Sequence, residues 1–431
     1  MRFLHFDEAK QAAIAAVRTW VGATSQDVRA MLIVDLFGKL RLALWSNAAA
    51  DTTNLEQDLV INCGAWWTGE VLHVKELDPV TAKVYDSARD SARLDENEPR
   101  FCVHDRHRSR TAWFSGPVDP LWNASGKEPP VVVFYSFKGG LGRSTLLASF
   151  AIQRARAGER VCVVDFDLDS PGAGRLLSAD ARGLTARWGV VDFLLECSLD
   201  DAPLADYFHR CDRVASAGEI IVFPAGNLDE EYADKLARID LEGAPEARDN
   251  GLWKLLARLR DELKPRWILL DARTGISEPA GQLLSGIAHL HVLLGTTQDQ
   301  SWQGLNRVLD RLGKERVLAG RPQAELLLVQ AMVPSGEPGK AAKEAFAARA
   351  EEEFDDRFYA AEEGDPDIDN RFWTLGDKGS QDAPHAPMPV DYDSKLASFG
   401  DIAEVADPLC SGVYPPIVER IVSRFLTEPE I

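Results

Sequence analysis

The stretch Val131-Val132-Val133-Phe134-Tyr135-Ser136-Phe137-Lys138-Gly139-Gly140-Leu141-Gly142-Arg143-Ser144-Thr145 decides the fold. Its first six residues read as an apolar strand, as expected where a parallel sheet is buried on both faces. A glycine-rich loop follows, then a helix predicted to run to about Ala157 and to end at Gly158. Val161-Cys162-Val163-Val164-Asp165 is the next buried strand. A strand, a tight glycine turn and a helix start together make an anion site. The backbone N–H groups point inward and the helix N-terminus adds positive potential. Gly139, Gly140 and Gly142 allow the turn and the close approach of a phosphate. Ser144 sits where a hydroxyl reaches a magnesium ion.

Outward from this unit the alternation continues. Ile220 to Phe223, Trp267 to Asp271, His289 to Leu294 and Glu325 to Val329 read as strands. Helices are predicted over Leu252–Leu263, stopped by Pro265, and near residues 338–361. Strands separated by helices predict an α/β fold, a doubly wound and mostly parallel sheet with helices on both faces, over residues 131–431. Pro416 to Phe425 carries Ile417, Ile421, Val422 and Phe425 on one face and reads as a packed core helix rather than a membrane anchor. Residues 362–387 read as an irregular segment.

Residues 1–115 read as a small α+β domain. It has a helix over Asp7–Trp20, a hairpin of Met31–Leu36 and Leu40–Trp45 around Phe37-Gly38-Lys39, and helices near 54–67 and 79–94. Residues 116–130, with Pro117, Pro120, Gly126, Pro129 and Pro130, read as a linker. Six of the 11 tryptophans lie in the first 122 residues, beside a basic run, Arg106-His107-Arg108-Ser109-Arg110. Core packing accounts for them, and a partner-binding face is the sharper alternative.

The formal net charge of -20 makes the chain a poor nonspecific binder of nucleic acid or of anionic membranes. Residues 351–431 hold 20 Asp/Glu against 6 Lys/Arg, so the acid is concentrated there. The six cysteines include no Cys-x-x-Cys pair, which argues against a zinc ribbon or an iron–sulfur site and suits reduced cytoplasmic thiols. Charged residues close to Met1 predict no signal peptide, and no apolar run is long enough to span a bilayer. His289 and His291 fall on one strand face, but two ligands are too few for a metal, and packed histidines are commoner.

The segment Phe134 to Ser144 resembles the deviant Walker A motif of the ParA/MinD family of SIMIBI-class P-loop ATPases, in a subgroup with arginine in the loop. Val163-Val164-Asp165-Phe166-Asp167-Leu168-Asp169-Ser170-Pro171-Gly172 is similar to that family's switch I strand. Leu269-Leu270-Asp271-Ala272-Arg273-Thr274-Gly275 is similar to its Walker B strand and switch II, and Asp391 to Ala397 to a late loop near the base. The resemblance covers about residues 130–425 and leaves the first 115 unmatched.

The resemblance implies ATP and Mg²⁺ as cofactors. Lys138, Gly139, Gly140, Leu141, Gly142, Arg143, Ser144 and Thr145 would hold the nucleotide, with Gln330 as the candidate for base recognition. Lys138 would also reach a phosphate held by a second protomer and so couple ATP to homodimer formation. Ser144, Asp165 and Asp271 would serve the metal. Asp167 would position the attacking water, since phosphoryl transfer rests mainly on positioning and charge neutralisation. Asp169 reads as a turn residue, and Arg273 as either a phosphate contact or an ion-pair partner.

Arg143 departs from the common P-loop lysine. A planar, forked cation still grips phosphate but changes where the terminal phosphate sits, so binding is better founded than hydrolysis. The expected function is a cytoplasmic ATP-binding regulatory switch. It would dimerise with ATP, hydrolyse slowly or on stimulation by a partner, and control a protein partner of the signalling or defence type through the N-terminal domain. The alternative is a nucleotide-binding scaffold without turnover. A tyrosine kinase fits less well, because only Tyr414 follows residue 400.

Overall fold

The computed structural model describes the chain apart from residues 1–3, 26, 47–49, 91, 96, 108, 125–127, 200–202, 240, 242–249, 361–371, 381 and 426–431. Arg108 of the basic run, Gly126 of the linker stretch and much of the irregular segment therefore lie outside the described residues. The chain divides into two compact units, residues 1–109 and 110–431.

In the first unit the predicted hairpin forms the centre of a small sheet. β1 (Arg29–Val34) pairs antiparallel with β2 (Leu40–Trp45), and Gly38 turns the chain at φ +80°. The helix α1 (Phe6–Ala23) buries Ala9, Ala13, Val17 and Val21, one face at a spacing of four residues. After α2 (Thr53–Cys63) come β3 (Trp67–His73), α3 (Pro79–Asp90), β4 (Arg93–Leu94) and β5 (Phe101–Asp105). The five strands lie in the order β3-β2-β1-β5-β4. Of the early tryptophans, Trp45 and Trp67 are buried here and Trp20 and Trp66 pack partly against the core.

The second unit is built on an eight-stranded sheet. Its strands are β6 (Val131–Ser136), β7 (Arg160–Phe166), β8 (His209–Arg210), β9 (Glu219–Phe223), β10 (Trp267–Ala272), β11 (Leu290–Gly295), β12 (Leu326–Val333) and β13 (Met388–Asp391). They lie in the order β13-β12-β11-β6-β10-β7-β9-β8, and every pair is parallel except β8 with β9. Side chains of a strand alternate between faces, and here both faces are apolar. Val131, Val133 and Tyr135 enter one core layer and Val132 and Phe134 the other. Helices cover both layers. α4 (Arg143–Arg156) and the C-terminal helix Tyr414–Ser423 pack on the Val132 side. The helices Gly251–Arg258, Asp299–Leu312 and Glu337–Arg357 pack on the Val131 side. This is the doubly wound α/β fold that the strand pattern predicts.

Several boundaries differ from the sequence reading: the helix expected near 54–67 ends at Cys63, with Trp67 already in β3, and that near 79–94 ends at Asp90, before β4. The helix expected near 338–361 ends at Arg357. The stretch read as a linker is packed within the second unit. Val118 is buried, its N–H donates to the Ser285 carbonyl at 3.0 Å, and Arg316 donates to its carbonyl at 2.6 Å. Trp113 is buried as well, with its indole N–H on the Ser277 carbonyl at 2.6 Å. Proline density in the sequence does not report this packing, because the contacts are with residues more than 150 positions away. The C-terminal helix buries Tyr414, Ile417, Val418 and Ile421 in the core. Among the described residues no helix is long and apolar enough to cross a membrane.

Candidate functional site

Three neighbouring strands end at one edge of the sheet. Phe134 of β6 lies in register with Asp271 of β10, and Asp271 with Asp165 of β7. This register brings the glycine loop after β6 beside the carboxylates of β7 and β10, at the C-terminal strand ends where open α/β sheets bind ligands.

The loop is an open cradle. Gly140 and Gly142 have φ of +76° and +80°, a region that residues with side chains enter only at a cost. A Cβ added at Gly139, Gly140 or Gly142 would meet nothing within 4 Å. Gly142 is also the N-cap of α4, whose 14 residues align their dipoles toward the loop. Leu141 packs against the second core layer, and Ser144 and Thr145 lie in the first turn of α4. The Ser136 hydroxyl donates to the Lys138 carbonyl at 2.8 Å and braces the loop's entry. Lys138 donates through Nζ to Gln298 Oε1 at 2.6 Å.

Arg143 is the centre of the polar network. Its side chain is 9 % exposed. Nε donates to Asp271 Oδ1 at 2.5 Å and Nη2 to Asp167 Oδ2 at 3.0 Å. Nη1 is buried and, among the described residues, has no hydrogen-bond partner. Burial opposes the guanidinium's charge, but Asp271 and Asp167 beside it outweigh burial and hold its pKa above the ordinary value. Ser144 Oγ donates to Asp271 Oδ2 at 2.6 Å. Asp271 is fully buried, and burial raises its pKa while Arg143 and Ser144 pull the other way.

The other acidic residues are engaged too. Asp165 Oδ2 accepts the N–H groups of Gly172 and Gly174, both at 3.0 Å, so this carboxyl braces the turn after β7. Burial, then the nearby Asp271 charge, pushes Asp165 up to about 7. Arg273 donates to Asp167 Oδ1 at 3.2 Å and lies 2.9 Å from Asp169 Oδ2, so it is an ion-pair partner of both.

The hydroxyl and carboxylates suit a hard cation by chemistry, and in this structure they are engaged within the protein. Both Asp271 oxygens are committed to Arg143 and Ser144, and both Asp167 oxygens to Arg143 and Arg273. Among the described residues no group of three His, Cys, Asp or Glu is arranged to hold a metal ion. Of Ser144, Asp165 and Asp271, expected to serve a magnesium ion, Ser144 and Asp271 bond to each other and Asp165 to the Gly172 and Gly174 N–H groups. The Arg143 guanidinium stands between Asp271 and Asp167.

Gln330 is buried in β12, and its amide donates to the Ala342 carbonyl at 2.9 Å, so the structure gives it a packing partner. His289 accepts from the Val131 N–H through Nδ1 at 2.9 Å, and its Nε2 lies 2.7 Å from the Trp122 carbonyl. His291 is wholly buried, and burial pushes it down to about 4. Both histidines are packing residues. Two residues of the site escaped the sequence reading. Gln298 holds Lys138 from 160 positions away. Gly304 leaves room for the Phe137 ring, since a Cβ there would lie 1.9 Å from Phe137 Cγ. No local sequence pattern signals either contact.

No protein-family model matches the chain. A stretch of 59 residues is 39 % identical to a cytosolic Fe-S cluster assembly factor NUBP2 homolog of Trichoplax adhaerens, covering 14 % of this chain and 22 % of that protein. The chain thus matches about a fifth of that relative's length. Similar solved structures include pNOB8 ParA bound to nonspecific DNA, at 17 % identity and a TM-score of 0.43 over 69 % of this chain and 98 % of that one. The cell division ATPase MinD of Pyrococcus furiosus follows at 17 % and 0.42, over 68 % of this chain and 99 % of that one. The MinC:MinD complex of Aquifex aeolicus follows at 15 % and 0.42, over 70 % and 97 %. The larger unit's strand order and glycine loop are features of this chain itself.

Proposed function

We propose that this chain is a cytoplasmic ATP-binding regulatory switch. The observation that carries the reading is the loop from Lys138 to Thr145, with its left-handed glycines and open cradle at the start of a helix. Backbone N–H groups of such a loop take the phosphates of a nucleotide. ATP seated there joins two copies of the chain, each Lys138 leaving Gln298 for a phosphate of the partner's nucleotide. The joined form then engages a protein partner through the N-terminal unit, and turnover is slow. The test is sizing chromatography of the full chain with and without ATP. Wild type should shift to a dimer with ATP and Lys138→Ala should not; a dimer that persists in the variant would sink the reading.

A second reading, a nucleotide-binding scaffold without turnover, is favoured by one contact set. Asp167, the candidate to position water, has both oxygens tied to Arg143 and Arg273. Phosphate release by pure protein, compared with Asp167→Ala, separates the two. Turnover abolished by that substitution argues for the switch, and none above background argues for the scaffold.

A further inference from the structure

The carboxylates of this site already hold a cation, and it belongs to the protein. Resting on the nucleotide-binding reading above, we propose that Arg143 is the resident cation of the phosphate site. It neutralises Asp271 and Asp167 in the place of a divalent ion, and its remaining nitrogen takes a nucleotide phosphate, so that ATP binds without metal.

Each part follows from a contact. A guanidinium presents N–H donors on three nitrogens in one rigid plane. Two of these nitrogens are taken, Nε by Asp271 and Nη2 by Asp167. The third, Nη1, is buried with no hydrogen-bond partner among the described residues. A buried donor left unmatched is costly and calls for an acceptor. Arg143 is the first residue of α4, directly after the Gly142 N-cap, and the loop in front of it is built for anions. A phosphate oxygen of a nucleoside di- or triphosphate is the acceptor such a loop supplies.

A divalent ion, by contrast, would have to displace two charge-assisted hydrogen bonds to reach Asp271 and Asp167, and such bonds are among the stronger ones a protein makes. Ser144 would also have to release Asp271 Oδ2 before its hydroxyl oxygen and that carboxylate faced one ion. A lysine at 143 would behave differently. Its single nitrogen cannot present three separate donors in a plane, so on moving to the phosphate it would leave the two carboxylates to a metal.

The experiment is calorimetric titration of ATP into the full chain, in excess Mg²⁺ and in excess EDTA at matched ionic strength, for wild type and Arg143→Lys. Wild-type affinity should fall by less than about tenfold when Mg²⁺ is removed, a difference below roughly 1.4 kcal/mol, whereas Arg143→Lys should lose about tenfold or more. A wild type that loses about tenfold or more in EDTA overturns the proposal while leaving the nucleotide site intact. So does an Arg143→Lys variant that is as indifferent to Mg²⁺ as the wild type. A wild type that binds ATP under neither condition overturns this proposal and the nucleotide-binding reading together. Should Arg143→Lys fail to fold, the wild-type pair decides alone.

Discussion

Replacing Arg143 by methionine keeps a long unbranched side chain and removes the charge, and its cost follows from the burial of its partners. Asp271 is 0 % exposed and Asp167 5 % exposed. Removing one partner of a buried ion pair leaves a charge that neither water nor protein compensates, at roughly 3–5 kcal/mol. Counting two lost hydrogen bonds to charged groups at about 1.5–3 kcal/mol each leads to a similar range. Set against a domain stability of about 5–15 kcal/mol, that is a large fraction. The loss should depend on pH with a definite sign. Burial already raises the pKa of Asp271 and of Asp165 above their unfolded values. A carboxyl of that kind favours the fold when protonated, and this contribution is lost as pH rises through the folded pKa. Without Arg143, which pulls the other way on Asp271, that carboxyl is held still more strongly in the protonated form. Arg143→Met should therefore be destabilised most near pH 8, and its deficit should shrink toward about pH 5. Adding Asp271→Asn to the variant should recover part of the loss, because the uncompensated charge is then gone. Urea denaturation of the full chain across this range, following the transition of the larger unit, measures all three. An Arg143→Met chain within about 1 kcal/mol of wild type at both ends of the range would refute the claim that the guanidinium is the counter-ion of this site.

Two further outcomes test other parts of the structure. Gly304→Ala forces the Phe137 ring from its place, because the added Cβ would lie 1.9 Å from Phe137 Cγ. We expect about 1–3 kcal/mol of destabilisation and weaker ATP binding, since Lys138 follows Phe137 directly; a calorimetric titration that matches wild type would show that the ring is free to move. Burial pushes His291 down to about 4, so its stabilising contribution is whole above the unfolded pKa and lost as pH falls toward that value. Against His291→Leu, wild type should lose roughly 3 kcal/mol more stability between about pH 7 and pH 4. A difference between the two chains that stays flat with pH would mean that His291 takes a proton freely in the folded protein.

Much of the fold was legible because it depends on local pattern. Val131 to Ser136 and Trp267 to Asp271 are apolar on both faces, and such strands belong in a covered parallel sheet. Gly140 and Gly142 stand where the chain needs φ above zero. The short edge strand Met388–Asp391 was missed, because four residues with an internal proline and partly exposed side chains carry no strand signal. The packing of residues 110–124 on the larger unit was missed because its anchors, Glu278, Ser285 and Arg316, lie far away in sequence. Arg273, open between a phosphate contact and an ion pair, is tied to Asp167 and Asp169.

The glycine loop proposed to hold phosphate was legible in the sequence alone, since its glycine spacing and the helix start behind it are properties of consecutive residues. What stands in front of that loop was decided only by tertiary structure. Arg143 meets Asp271 across 128 positions of chain, and only the register of β6 with β10 and β10 with β7 brings that carboxylate and Asp167 to one guanidinium. A charge in a sequence has no partner until folding excludes water around it. Once buried it must find one, and here Asp271, expected to hold a metal, and Asp167, expected to position water, are held by an arginine.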